Sequence, residues 1–243
     1  MIEAVAVVVP AHDEAELLPS CLTALGRAAA LVPLPVRVIV VADSCTDRTA
    51  HHARRAGATV LEVKATNVGL ARATGVRAAL RPARTDPKAL WVATTDADTM
   101  VPEDWLTTQL RYAALGWEAV VGTVRVADWS EHPPHLPEIY RRHYGDEDDD
   151  GTHPHVHGAN LGFTGAAYLS AGGFPPLRTA EDHALVEALA MAGHRILRTT
   201  GSTVVTSARR KPRASHGFGD LLNTLAAQRI RTSSPAAEAA MPG

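Results

Sequence analysis

The chain has 243 residues, enough for one large α/β domain with a substantial core. Its hydrophobic fraction of 46% and charged fraction of 21% are ordinary for a globular protein, and a formal net charge of −2 gives no global field to draw in nucleic acid. Two cysteines, Cys21 and Cys45, make no disulfide framework, no apolar run approaches the roughly 20 residues of a bilayer span, and Met1-Ile2-Glu3 opens without a basic n-region. The expectation is a chain of the reducing cytoplasm, with no transmembrane segment, that meets a membrane at most peripherally.

Val5 to Val9 is a β-branched apolar run ending at Pro10, as a buried parallel strand ends in a loop. Leu17, Leu18, Cys21, Leu22 and Leu25 follow at helical spacing and predict a helix closing near Gly26. Val36 to Val41 predicts a second strand, and Asp43, Ser44 and Thr46 offer cap oxygens for a helix running to Gly57. A strand over Val60 to Val63, a helix over Gly69 to Leu80 and a strand over Leu90 to Thr94 complete a regular alternation through about residue 98. That alternation predicts a parallel sheet with helices on both faces and right-handed crossovers. Ligands of such sheets bind beyond the strands' carboxyl ends, so the loops opening at Pro10, Asp43 and Asp96 should share one edge.

The second half is less regular. A helix is expected over Pro102 to Leu115, a strand over Ala119 to Val126, a helix over Thr179 to Met191 closed by Gly193, and short strands over Arg195 to Leu197 and Thr203 to Thr206. Residues 127–158 read as a long Pro/His/Asp-rich loop with room for one helix. Phe218 to Ile230 predicts an amphipathic helix with Leu221, Leu222 and Leu225 on one side, which can pack on the domain, on a partner or on a membrane surface, the domain being the expected place. The Ala/Ser/Pro-rich tail is expected to fray.

Asp96-Ala97-Asp98 follows the fourth strand. Two carboxylates one residue apart can face Mg²⁺ or Mn²⁺ together, and the cation can hold a diphosphate; the same residues also suit a turn or a helix cap. Asp43 stands after the second strand in the same way, able to accept from a base or sugar or to cap the next helix. Pro10-Ala11-His12-Asp13-Glu14 has no glycine, which excludes a dinucleotide-binding turn and a Walker A loop there. Asn67 to Arg72 opens a helix whose amides, with Arg72, could meet phosphate. Thr179-Ala180-Glu181-Asp182 has capping-box spacing, or else directs a carboxylate into the cleft as a general base. His132, His135, His143, His153, His155 and His157 crowd one stretch beside the acid run 146–150; a mobile acceptor-side lid is expected there rather than a zinc site.

Taken in order, these pieces resemble a family-2 glycosyltransferase of GT-A fold over roughly residues 4–215. The resemblance is carried by Val7 to Glu14, Asp43-Ser44-Cys45-Thr46-Asp47-Arg48-Thr49, Asn67 to Arg72, Thr95 to Thr99, Gly158-Ala159-Asn160-Leu161-Gly162-Phe163, and Gly172-Gly173-Phe174 leading to Glu181-Asp182. It implies a single GT-A domain over 1–232, with a nucleotide-binding half (1–98), an acceptor-side half (99–232) and a flexible tail (233–243). The fold would be a Rossmann-like, mostly parallel central sheet flanked by helices. The resemblance implies that Pro10, Ala11 and Glu14 hold the base and ribose, and that Asp43 bonds the base. Asn67, Arg72, Ala97 and Glu181 join the donor site. Asp96 lies near ribose and cation, Asp98 binds the cation, and His216 is the candidate third ligand. Gly158, Ala159 and Asn160 line the sugar and acceptor region, and Asp182 deprotonates an acceptor hydroxyl. The implied activity is metal-dependent transfer from a UDP- or GDP-sugar to a hydroxyl acceptor, with inversion and no nucleic-acid partner. The rivals are a nucleotidyltransferase of related fold and a non-catalytic nucleotide-sugar-binding module. One departure is Ser44, which stands where the family's Asp-Gly-Ser-Thr-Asp turn has glycine.

Overall fold

The computed structural model describes residues 1–81, 86–144, 151–209 and 218–227. The first half alternates as expected: β1 (Ala4–Ala11), α1 (Leu18–Ala30), β2 (Val36–Asp43), α2 (Thr49–Arg55), β3 (Thr59–Val63), α3 (Val68–Leu80) and β4 (Leu90–Thr94). Strands β3, β2, β1 and β4 lie side by side and all pair in parallel. Period-two alternation sorts their side chains: Val5, Val7 and Val9 face Leu18, Leu22 and Leu25 of α1, while Ala6 and Val8 face Val76 of α3. Gly75 allows α3 to sit close on the sheet, because a Cβ there would come within 2.4 Å of Val8 Cγ1. Helix α1 runs through Gly26, whose missing side chain would have met open space, so it ends four residues later than its sequence suggests.

The second half departs from the parallel plan. It comprises β5 (Thr99–Met100), α4 (Trp105–Ala114), β6 (Ala119–Val126), α5 (Leu136–Tyr144), β7 (Leu161–Thr164), α6 (Gly165–Ser170), α7 (Glu181–Met191), β8 (Ile196–Thr206) and α8 (Phe218–Ala226). The described strands form one eight-stranded sheet in the order β3-β2-β1-β4-β7-β6-β8-β5. Strand β7 runs antiparallel to both β4 and β6, and β5 antiparallel to β8, while β6 and β8 pair in parallel, so the sheet is mixed. The two short strands expected near residues 195–206 are one strand, β8, whose register against β6 shifts between Gly122 and Thr123.

Helices α6 and α7 cover the α3 face through Ala167, Leu185 and Leu189, and α4 covers the other through Trp105 and Leu106. A small third cluster, Leu136 and Tyr140 of α5 with Leu222 and Leu225 of α8, closes one corner. The amphipathic helix therefore packs on its own domain. No helix among the described residues is long and apolar enough to cross a membrane.

The capping box at Thr179 does not form. Helix α7 starts at Glu181, and the residue before it, Ala180, has φ 59° and makes no side-chain cap. Asp43 likewise caps no helix, since α2 begins six residues later behind Arg48. The His-rich stretch is built into the domain. His132 is buried and bonded to the Ala208 carbonyl, His153 is buried and bonded to Val121 O at 3.0 Å, and His155 stacks on Tyr144 at 3.8 Å between ring centres. These three side chains are packed into the domain.

Candidate active site

The carboxyl ends of β1, β2 and β4 do share one edge, and they open into a cavity of about 510 Å³. Pro10, Ala11, Glu14, Asp43, Asn67, Arg72, Asp96, Ala97 and Asp98 line it from the first half. Gly158, Ala159, Glu181 and Asp182 line it from the second. Asn160 is the exception. It is buried beneath the cavity, accepting from Trp105 Nε1 at 2.8 Å and donating to the Thr123 and Ser202 carbonyls, both at 2.8 Å. Its amide is a structural pin, not a cleft contact. His216 and the acid run 146–150 lie outside the described residues, and the side chain of His143 is not described.

Backbone strain concentrates at this edge. Among the described residues, the non-glycine residues with positive φ are Asp13, Ser44, Thr66 and Ala180, at φ of 50°, 55°, 49° and 59°. Each sits in a loop bordering the cavity, and such conformations cost about 1–3 kcal/mol apiece unless the surroundings enforce them. Ser44 takes the left-handed turn without glycine, helped by its hydroxyl, which donates to Asp43 at 2.9 Å. Asp43 enforces the next loop: Oδ1 accepts from the N–H of Ala65 (2.7 Å) and Thr66 (2.8 Å), and Oδ2 from that of Asn67 (2.8 Å). Burial pushes its carboxyl up, but the donors from Asn67, Ala65 and Thr66 outweigh it and hold the pKa below the usual range.

The amides at the start of α3 are already engaged. Leu70 N–H donates to the Asn67 side chain at 2.9 Å and Gly69 N–H to Leu177 O at 3.0 Å. Arg72 is buried and ion-paired with Glu181 and with Asp96. Gly158 lies flat against its guanidinium, where a Cβ would approach within 2.5 Å. Arg72 thus ties the β4 carboxylate to the first turn of α7. Next to Glu181, Asp182 accepts from Gly158 N–H at 2.6 Å through Oδ2 and from His183 N–H at 2.8 Å through Oδ1.

Asp98 sits deeper. Burial raises its pKa to about 6, against the pull of Arg209 and with Asp96 and Glu14 adding to the rise. Arg209 forks onto Glu14 at 2.9 and 2.5 Å and reaches Asp98 at 2.6 Å. In the sequence Arg209 opens the basic run Arg209-Arg210-Lys211-Pro212-Arg213, a pattern that by itself marks no member as a site residue. His157 also lines the cavity. Burial lowers its pKa to about 4, opposed by the nearby Asp182 carboxylate, and its Nε2 bonds to Tyr144 Oη at 2.5 Å. Among the described residues, the one group of three or more possible ligand side chains within 4.8 Å of one another is Asp13, Cys45 and Asp47, away from Asp96 and Asp98. Its acids bind loop amides, Asp13 that of Thr46 at 2.7 Å and Asp47 that of Ala15 at 2.9 Å, and so clamp the β1 and β2 loops together.

Comparison with known proteins agrees with this architecture. No curated protein sequence matches the chain. Among solved structures, the mannosyltransferase PcManGT of Pyrobaculum calidifontis, in complex with GDP-Man and Mn²⁺, superposes with a TM-score of 0.63 at 23% identity, covering 88% of this chain and 59% of that one. TarS 1–349 of S. aureus with UDP-GlcNAc gives 0.60 at 15% identity, covering 90% and 62%. Glucosyl-3-phosphoglycerate synthase of M. tuberculosis gives 0.55 at 16% identity, covering 92% and 77%. The chain spans about 60% of the length of the first two, and at these identities the likeness is one of fold, the GT-A fold. The sequence profile of glycosyl transferase family 2 matches residues 6–168, from β1 through β7 into α6, and on that match the chain belongs to glycosyltransferase family 2.

Proposed function

We propose that the protein transfers a sugar from a nucleoside-diphosphate donor to a hydroxyl acceptor, with Asp182 as general base and one displacement that inverts the anomeric centre. The observation that carries this reading is the meeting, in one cavity, of Asp96, Asp98 and Asp182, with Arg72 pairing Asp96 to Glu181, the residue before Asp182. The fold neighbours bound to GDP-Man with Mn²⁺ and to UDP-GlcNAc support a nucleotide-sugar donor, either UDP- or GDP-linked.

The carboxylates fit a hard divalent cation. Asp96 and Asp98 offer oxygen donors one residue apart, and burial of Asp98 beside Asp96 and Glu14 leaves an excess of negative charge that a cation would relieve. Asp98, with Asp96, would hold Mg²⁺ or Mn²⁺, which would neutralise charge on the departing diphosphate. The chain's own residues do the rest. Gly158 N–H fixes the Asp182 carboxylate facing the cavity, where it takes the proton of the attacking hydroxyl. Arg72 keeps Asp96 and α7 in register, so base and donor site move as one unit. Asp43 shapes the Ala65–Asn67 loop against which the base would lie, with Pro10 and Ala11 opposite.

Titration calorimetry with UDP- and GDP-sugars, with and without Mn²⁺, tests the reading. Binding of one donor class that strengthens with Mn²⁺ is the expected result, and no binding of either would overturn it. Release of free sugar-acceptor product separates a transferase from a binding module, and release of pyrophosphate from a nucleoside triphosphate would instead point to a nucleotidyltransferase.

A further inference from the structure

Arg209 follows β8 and is separated from Asp98 by 111 residues, yet its guanidinium stands 2.6 Å from Asp98 Oδ2. The same group takes both oxygens of Glu14, a carboxylate only 6% exposed. A guanidinium nitrogen at that distance uses one of the two Asp98 oxygens that a divalent ion, Mg²⁺ at about 2.0–2.1 Å, would draw on. Two cations against one buried carboxylate oxygen repel strongly, because the surroundings screen them poorly. Arg209 is also a wall residue. It lines the main cavity and a neighbouring one of about 290 Å³ that carries Asp128 and Glu131, so a guanidinium leaving Asp98 has a carboxylate-bearing space beside it.

We propose that Arg209 is a tethered cation that competes with the divalent ion for Asp98. Resting on the assignment of Asp98 to that ion, the proposal gives Glu14 a second role, as the hinge that keeps the guanidinium at hand. Ion binding shifts Arg209 from Asp98 toward the second cavity. The ion alone therefore binds weakly, and the anionic diphosphate, by adding its own oxygens, tips the exchange.

The test is Mn²⁺ binding to the full chain, followed by the electron-paramagnetic signal of free Mn²⁺, first without nucleotide and then with UDP or GDP. R209Q is expected to bind Mn²⁺ alone at least tenfold more tightly than the wild type. R209K, which keeps the charge but not the fork, should bind about threefold more tightly. R178Q removes an arginine that lines the same cavity, and should change binding less than twofold. Unchanged or weaker binding by R209Q overturns the proposal, as does equal tightening by R178Q, which would make the effect one of general field. If circular dichroism shows R209Q unfolded, R209K decides, and no tightening there overturns it. Nucleotide-dependent Mn²⁺ binding equal in all variants, with no difference in the ion alone, sinks the Arg209 proposal and leaves the cation assignment standing. No Mn²⁺ binding by any variant under any condition overturns both.

Discussion

The two halves of this domain solve different problems. From β1 to β4, buried β-branched strands alternate with helices, the four strands pair with one another in parallel, and the cavity carboxylates follow strand ends. From β5 onward parallel and antiparallel pairs mix, β6 with β8 in parallel and β7 antiparallel to β4 and β6, and the site residues are fixed by contacts across long sequence distances. Asp43 holds its loop from 22 to 24 residues away, whereas Arg72 reaches Glu181 across 109 residues and Arg209 reaches Glu14 across 195. The first half is a scaffold whose chemistry is local. The second contributes Asp182, the base proposed above, which borders a cavity walled largely by the first.

If that division is right, the largest effect should come from the group the second half contributes. Asp182→Asn should lower kcat by about a thousandfold, the range for loss of a general base, while donor affinity in calorimetry stays within a fewfold of wild type. Retained transfer would remove Asp182 from the role. Next in size is the scaffold itself. Trp91 is fully buried in β4 and donates to Gln109 at 2.8 Å, so Trp91→Ala should cost about 3–5 kcal/mol in urea unfolding and weaken both halves together.

The pH response sharpens the comparison further. Folded His157 takes its proton near pH 4, against 6.5 for an ordinary histidine, so the unfolded chain binds more protons between those values. Stability then rises with pH through that window, by at most about 3 kcal/mol from this group. Asp98 runs the other way. Its pKa of about 6 against 3.8 means that the folded state holds the extra proton, and its contribution falls as pH rises between the two. The clean readout is therefore a difference. Thermal melts of His157→Asn should show a smaller gain between pH 4 and 6.5 than the wild type, and identical pH profiles would contradict the assignment. Smallest is Leu222→Ala in the α5–α8 corner, expected to cost about 2 kcal/mol, the low end for a buried leucine, without loss of donor affinity. A loss of donor binding there would show that the corner supports the nucleotide side after all.

Much of the first half is legible in the sequence because its signals are local. The run Val5 to Val9, the period of α1 and the break at Pro10 each report on residues close by, and Asp43 and Asp96 follow from where strands end. The ordered motifs also pointed to the family. What the sequence could not determine is which polar group meets which. Thr179 has capping spacing, but the left-handed turn at Ala180 and the pull of Arg72 on Glu181 set the start of α7 elsewhere. Asn160 sits in a motif of the cleft, yet the indole of Trp105 and two strand carbonyls draw its amide into the core. Strand β7 is four residues long and contains a glycine, too short for periodicity to register, and only its two antiparallel neighbours make it a strand. Arg209 was one of several basic residues until the fold set the buried Glu14 and the half-buried Asp98 beside it. A buried charge takes whatever partner the packed chain brings within reach, and that pairing is decided by tertiary structure, not by spacing along the sequence.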